Sequence, residues 1–393
     1  MEGFTTFPMR LWLNMAARPT VMTTPFLRVT RAHPEGRLPL LFAPELFELR
    51  GVLPYELTPQ LITADSQLFL RAVRLLPPDV STAVELNCGC PSPNSVGRDA
   101  GSGILRDPKA FATTISGMVA SLGPQRLAVK MRLGFASADE FATLLQSIAT
   151  LPLARLTVHG RTRADGYRGK ARWDLIQQAA RVAMAPTWAS GDVCGIETAA
   201  QLQTAAPGVA GVVIGRGLLR NPWVFEELRC GTHQYITAAT LANALLCFGL
   251  LHELTITAPA KLITKVGRGH FADFCGTSAQ AWERVTAELT SMVGGYPFIL
   301  GTDQVSVREL AALPLSPTAW ARVRMLWAYL RSSLPEPFHA PRLMRARSAS
   351  DFFSEFFAAS ASAMQTLGAE TFILRHQLAL DDCYGGARGT SNP

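Results

Sequence analysis

No apolar run in the sequence reaches the roughly 20 residues that a membrane-spanning helix needs. The most apolar stretch, LANALLCFGLL at 241–251, falls well short and reads as a buried helix. There is no CxxC pair and no Cys/His cluster at ligand spacing, which argues against a metal site although seven cysteines are present. Their odd number and scatter also argue against a disulfide framework. The N-terminus lacks a basic segment followed by an apolar run and a cleavage site, so the expectation is a reduced, cytoplasmic protein with no membrane partner. Internal repeats are missing from the C-terminal half, and low-complexity tracts from the whole chain. Charged residues are sparse: 17% against 48% hydrophobic over 393 residues, enough apolar material for a large core and two folding units. The formal charge of +7 fits a polyanionic partner and a mildly basic housekeeping protein equally.

What is present is alternation. From about residue 21 to 217, short β-rich runs at 21–29, 57–63, 83–87, 127–132, 155–159, 186–190 and 208–215 alternate with helical patterns at 67–76, 108–122, 138–150, 173–182 and 196–204. Chemically distinctive residues close almost every run: Gln60, Asn87, Lys130, His159, Ser190 and Gly215. In a (β/α)8 barrel, a TIM barrel, the strand ends share one mouth, whereas a doubly wound sheet gathers ligand contacts at one switch point. The barrel fits better. After Asn221-Pro222 the strand signals vanish and apolar helical pattern takes over, with TAWARVRMLWAYLR at 318–331 and SDFFSEFFAAS from Ser350, predicting an all-helical C-terminal domain. The predicted organisation is a barrel over 1–228, a helical domain over 229–375, and a disordered tail over 376–393.

The stretch ELNCGCPSPNSVGRDAGSG at 85–103 sets two cysteines one residue apart. Cys88, at a strand end, reads as packing. Cys90 lies out in the loop above the barrel mouth, where it is either an inert loop cysteine or a thiol within reach of a bound substrate. Lys130 ends the buried strand LAVKMRLG and needs an anionic or acceptor partner there. His159, in LTVHGRTRADGYRGKARW, reads on its own as a satisfied core histidine. Taken together with Arg161, ASGDV and VVIGRG, however, it belongs to a phosphate-type site at the last strands, where the amides of Gly191 and Gly215 and the charge of Arg216 face an anion.

The ordered set MEG, ELNCGCPSPNSVGRDAGSGIL, VKMRLG, VHGRT, ASGD and VIGRG resembles the tRNA-dihydrouridine synthases, over roughly residues 1–228. RVRMLWAYLRSSLPEPF and TTPFLRV are similar to the branch acting at uridine 16 of tRNA. The resemblance implies a flavin enzyme with an N-terminal barrel and a C-terminal helical domain. Its FMN, reduced by NADPH, delivers hydride to C6 of a D-loop uracil while Cys90, the cysteine before proline, protonates C5. It implies that Met1, Gln60, Lys130 and His159 lie at the flavin, that Ser190, Gly191, Asp192, Gly215 and Arg216 hold its phosphate, and that Asn87 holds the uracil. Arg28, Arg161 and Arg324 are expected against the RNA. The implied partner is tRNA, bound by a monomer with no metal. The target base must leave its stack to be reduced, and a barrel mouth offers the pocket. A cysteine thiol of ordinary pKa, about 8.5, stays protonated at neutral pH and can act as an acid.

Three departures from the family pattern stand out. Its members begin with an apolar strand ending in APM, and this sequence starts at that methionine, so the first barrel strand is expected to be missing. Asn94 stands where many members carry lysine. The stretch from about 230 to 315 is longer than the usual linker, reading as an inserted helical pair or as an RNA contact through Lys261, Lys265 and Arg268. Two rival functions share the barrel: a flavin enzyme reducing a free pyrimidine, and a catalytically impaired tRNA-binding protein.

Overall fold

Val84–Cys88 is buried at every position, and Leu127–Arg132 and Arg155–His159 almost throughout. Strands covered on both faces belong to a parallel sheet with helices outside it. The computed structural model describes residues 5–31, 46, 55–76, 83–257, 315–367 and 371–373. Its strands are β1 (Val21–Thr23), β2 (Leu27–Arg28), β3 (Glu56–Thr58), β4 (Gln60–Ile62), β5 (Val84–Cys88), β6 (Leu127–Arg132), β7 (Arg155–His159), β8 (Thr187–Ser190) and β9 (Gly211–Val213). Seven of them pair in parallel in the order β2-β4-β5-β6-β7-β8-β9, and β1 pairs in parallel with β3. The breaks between β1 and β2 and between β3 and β4 contain Pro25 and Pro59, which bring no N–H to a ladder. There Gln60 donates its backbone N–H to the Thr24 hydroxyl at 2.9 Å instead.

This is the mixed α/β architecture the alternation predicts, with seven strands in sequence order as in a TIM barrel. Among the described residues β2 and β9 are the two ends of the sheet and do not pair with each other. Met1 and residues 2–4 lie outside the described residues.

The helices between strands begin and end on local chemistry. Pro108–Leu122 starts where the Asp107 carboxylate accepts the backbone N–H groups of Lys109 and Ala110 at 2.9 and 3.1 Å, with Pro108 in the first turn. Gly123 follows its last turn at φ +86°. Phe111, Ile115, Met118 and Val119 recur at helical spacing and form its buried face.

The C-terminal region is helical, as predicted, with helices Ala238–Thr257, Pro317–Leu330, Pro341–Arg345 and Ala349–Leu367. Its centre is aromatic: the Trp327 ring lies 5.1 Å from Phe352 and 5.8 Å from Phe356, edge to face. One expectation is corrected here. Strand pairing does not vanish after Pro222, because Tyr235–Thr237 pairs antiparallel with Thr371–Ile373.

The helix Phe7–Ala17 has no counterpart in the sequence reading. It packs on Ala238–Thr257, where the Trp12 indole N–H donates to the Ala244 carbonyl at 2.7 Å and its ring meets Phe248 at 5.2 Å. Burial of one tryptophan, ~150–250 Å² at ~25 cal/mol/Å², stabilises that junction by on the order of 4–6 kcal/mol.

Candidate active site

Register partners in a parallel sheet share a face, and every second residue returns to it. The pairs Gln60 with Glu85, Asn87 with Lys130, Arg132 with His159, and His159 with Ser190 therefore put seven sequence-predicted or charged residues on one face of the sheet. Leu61, Leu86, Cys88, Met131, Val158 and Ala189 alternate with them and pack in the apolar core. In a barrel the polar set faces the interior and the apolar set faces the helices. Cys88 is thus a packing residue, as expected: burial, with the charge of Glu85 beside it, pushes its thiol far above the ordinary range.

Beyond β5 the chain makes a turn that holds Cys90 from three sides. The Asn87 side-chain carbonyl accepts the N–H groups of Gly89 and Cys90 at 2.9 and 3.0 Å. The Cys90 carbonyl accepts from the backbone and the hydroxyl of Ser102 at 3.0 and 2.8 Å. Gly101, at φ +59°, makes that approach possible, since a Cβ there would stand 2.8 Å from the Cys90 oxygen. The Cys90 sulfur itself, half-buried, accepts a hydrogen bond from the Ser95 hydroxyl at 3.6 Å, and Arg28 donates to that same hydroxyl at 2.9 Å.

A buried polar chain runs beneath the turn. Arg155 contacts Glu85 at 3.1 Å, Glu85 accepts from the Gln60 amide at 2.5 Å, and the Gln60 carbonyl accepts from Asn87 at 2.8 Å. Every charge along it is paired, as burial demands.

On the other side of Cys90 the groups are cationic. Arg132 donates to the carbonyls of Gly89, Thr162 and Gly166 at 2.7 to 2.8 Å. The Tyr167 ring gathers Arg132 at 5.5 Å, Arg216 at 4.1 Å and His159 at 6.4 Å. Burial, then Arg132, Lys130, Arg161 and Arg216, hold the His159 imidazole well below its ordinary value, so it is neutral. Lys130 is also pushed down, mainly by burial and partly by Arg132, while Glu85, Cys90 and Cys88 oppose the shift. Cys90, Lys130, His159 and Arg216 are thereby linked around one mouth, with Arg132 and Tyr167 between them.

The sequence model of the dihydrouridine synthase family matches residues 1–293. The chain belongs to that family. The tRNA-dihydrouridine synthase B of Pseudomonas putida is 34% identical over 180 residues, which is 44% of this chain and 52% of that protein. The probable tRNA-dihydrouridine synthase 2 of Bacillus subtilis is 31% identical over 238 residues, 58% of this chain and 70% of that protein. The chain therefore spans about half the length of the first relative.

Within this dihydrouridine synthase fold the expected site residues divide. Lys130, His159, Ser190, Gly191, Gly215 and Arg216 lie at the ends of β6 to β9, with Gly191 at φ +115° and open space around the Cβ position of Gly215. Gln60 and Asn87 are there too, and their amides hold Glu85, each other and the Cys90 turn. Arg161 and Asp192 face each other. The Arg161 side chain is 1% exposed; its guanidinium donates to both Asp192 carboxylate oxygens at 2.6 and 2.8 Å and to the Gly169 carbonyl. That ion pair locks the loop after β7 to the loop after β8. Arg28 points at the Cys90 turn through Ser95. Arg324 is exposed on the helix Pro317–Leu330, which packs beside Arg216–Arg220. Met1, Lys261, Lys265 and Arg268 lie outside the described residues.

Sequence reasoning missed Glu85, Ser95, Ser102, Arg132, Arg155 and Tyr167. Glu85 and Arg132 carried a signal, since each stands two residues from a chosen strand residue and so shares its face. No local signal marked Ser95 or Tyr167. Among the described residues no group of three or more His, Cys, Asp or Glu is placed to hold a metal ion, and no helix is long and apolar enough to cross a membrane.

Proposed function

We propose that this chain is an FMN-dependent tRNA-dihydrouridine synthase that reduces the C5=C6 bond of a D-loop uridine, with position 16 as the target and NADPH as the electron source. The observation that carries the reading is the convergence of a half-buried thiol and a cationic cluster on one strand-end mouth. A flavin phosphate fits the residues present. The His159 Nδ1 is buried with no hydrogen-bond partner among the described residues, and the positive charges of Arg132, Lys130, Arg161 and Arg216 all bear on its ring. An anion there relieves that repulsion.

In this reading His159, Gly191, Gly215 and Arg216 would hold the phosphate with Ser190 beside them, and Lys130 would serve the ring. When bound, the reduced flavin supplies the hydride. Cys90 supplies the proton: its S–H bond breaks toward C5 of the base, the electron pair stays on sulfur, and water restores the proton afterwards. The turn built by Asn87, Gly101 and Ser102 keeps the sulfur at the mouth, and Lys130 offers a positive charge to the thiolate that forms. Residues 229–375, with Arg324 exposed, grip the tRNA through its phosphates.

The test is to incubate the purified protein with NADPH and tRNA from a strain without dihydrouridine, then digest the tRNA and weigh its nucleosides. Dihydrouridine at position 16 and a yellow, flavin-bearing protein are the expected results. A colourless protein that still binds tRNA would support the impaired binder, and activity on free uracil without tRNA would support the pyrimidine reductase.

A further inference from the structure

Ser95 is fully buried, four residues past the proline that follows Cys90, and its hydroxyl has two named neighbours. A hydroxyl carries one hydrogen and two lone pairs, whereas a guanidinium only donates. Arg28 Nη1, at 2.9 Å, therefore takes a lone pair on Ser95 Oγ, and the single hydroxyl hydrogen is left for the Cys90 sulfur at 3.6 Å. The Arg28 bond cannot reverse, because a guanidinium has no lone pair to offer. Asn87 holds the Cys90 N–H and Ser102 holds its carbonyl, so the backbone that carries the sulfur is fixed.

We propose that Ser95, backed by Arg28, is a positioning residue for Cys90: it keeps the sulfur aimed at the mouth and steadies the negative charge left when its proton goes to the substrate. The proposal deepens the reading of Cys90 as the acid and rests on that reading for its catalytic meaning. A hydrogen bond to the charged form favours that form, and a cation behind the donor strengthens the bond. Lys130 acts on the same sulfur by charge alone; Ser95 adds direction. Arg28 thereby acquires a role at the thiol.

The test needs neither flavin nor tRNA. The full-length protein is alkylated with iodoacetamide across roughly pH 6 to 10, the range that brackets an ordinary thiol, and the Cys90 peptide is followed by mass spectrometry. In Ser95→Ala the pH of half-maximal alkylation rises by about one unit, the scale of one lost hydrogen bond to a charged group. Arg28→Met moves it the same way, and Ser95→Thr, which keeps the hydroxyl, restores it. A purely structural role for Ser95 would leave that profile unmoved. Coinciding profiles in the parent, Ser95→Ala and Arg28→Met overturn the proposal, whatever the protein does to tRNA. If Ser95→Ala unfolds, seen as alkylation of the buried Cys88 and Cys247, the Arg28→Met profile decides alone. A protein that shows the shift but never makes dihydrouridine keeps the relay and loses the functional reading.

Discussion

Asn87 fixes the backbone of Cys90: its side-chain oxygen accepts the Cys90 N–H at 3.0 Å while its amide nitrogen donates to Gln60 at 2.8 Å. Truncation to alanine strands the N–H groups of Gly89 and Cys90 in a poorly solvated turn. Asn87→Ala is expected to destabilise the protein by about 1–3 kcal/mol, read from urea unfolding. A change below about 0.5 kcal/mol would mean that water replaces the amide there.

The two neighbouring cysteines should separate cleanly. Cys90→Ala keeps bound flavin and loses on the order of 100-fold or more in turnover, the range for a lost general acid. Cys88→Ala, on the apolar face, changes turnover little. Single-turnover formation of dihydrouridine measures both, and full activity in Cys90→Ala removes the thiol from the chemistry.

Arg161 and Asp192 form a buried pair between two loops. Removal of one member leaves the other charge without compensation, so Asp192→Ala is expected to cost about 3–5 kcal/mol. Thermal unfolding measures the loss, and flavin retention falls with it because the pair locks the loop that carries Gly191. A variant with parental stability would show that Gly169 and the neighbouring carbonyls suffice for Arg161.

Two histidines give the fold a dependence on pH. Burial, then Arg132 and the other cations at the mouth, depress the His159 imidazole; burial, then Arg322, depress that of His252 to about 3. The unfolded chain takes up protons below about pH 6.5, where the folded one does not. Stability is thus complete above pH 6.5 and falls as pH drops toward 3, by up to about 1.4 kcal/mol per pH unit for each group. His252 packs against Phe248 at 4.6 Å, so His252→Phe is tolerated sterically and should flatten the urea midpoint between pH 6.5 and 5. An unchanged slope would assign the effect elsewhere.

The strands were legible because burial and alternation act locally: β6, β7 and the helices Pro108–Leu122 and Trp173–Val182 stand where the pattern put them. So was the shared mouth, since strand ends in a barrel converge whatever the loops do. The interruptions at Pro25 and Pro59 and the pairing of Tyr235–Thr237 with Thr371–Ile373 were not legible, the first because they depend on which ladder position lacks an N–H, the second because its strands are far apart in sequence. The pairing of Arg161 with Asp192 was not legible for a related reason. An arginine beside a site looks the same in sequence whether it faces a ligand or an aspartate 31 residues away, and only the folded loops decide. Ser95 stayed invisible because its meaning comes from Arg28, 67 residues earlier.

The indole bond from Trp12 to Ala244 has a practical consequence for anyone dividing this protein. A fragment that stopped at Arg229 would leave one flank of Phe7–Ala17 bare, with the ring of Trp12 facing water and its N–H seeking an acceptor. Dissection of the enzyme half should therefore retain the helix Ala238–Thr257, or expect an insoluble piece.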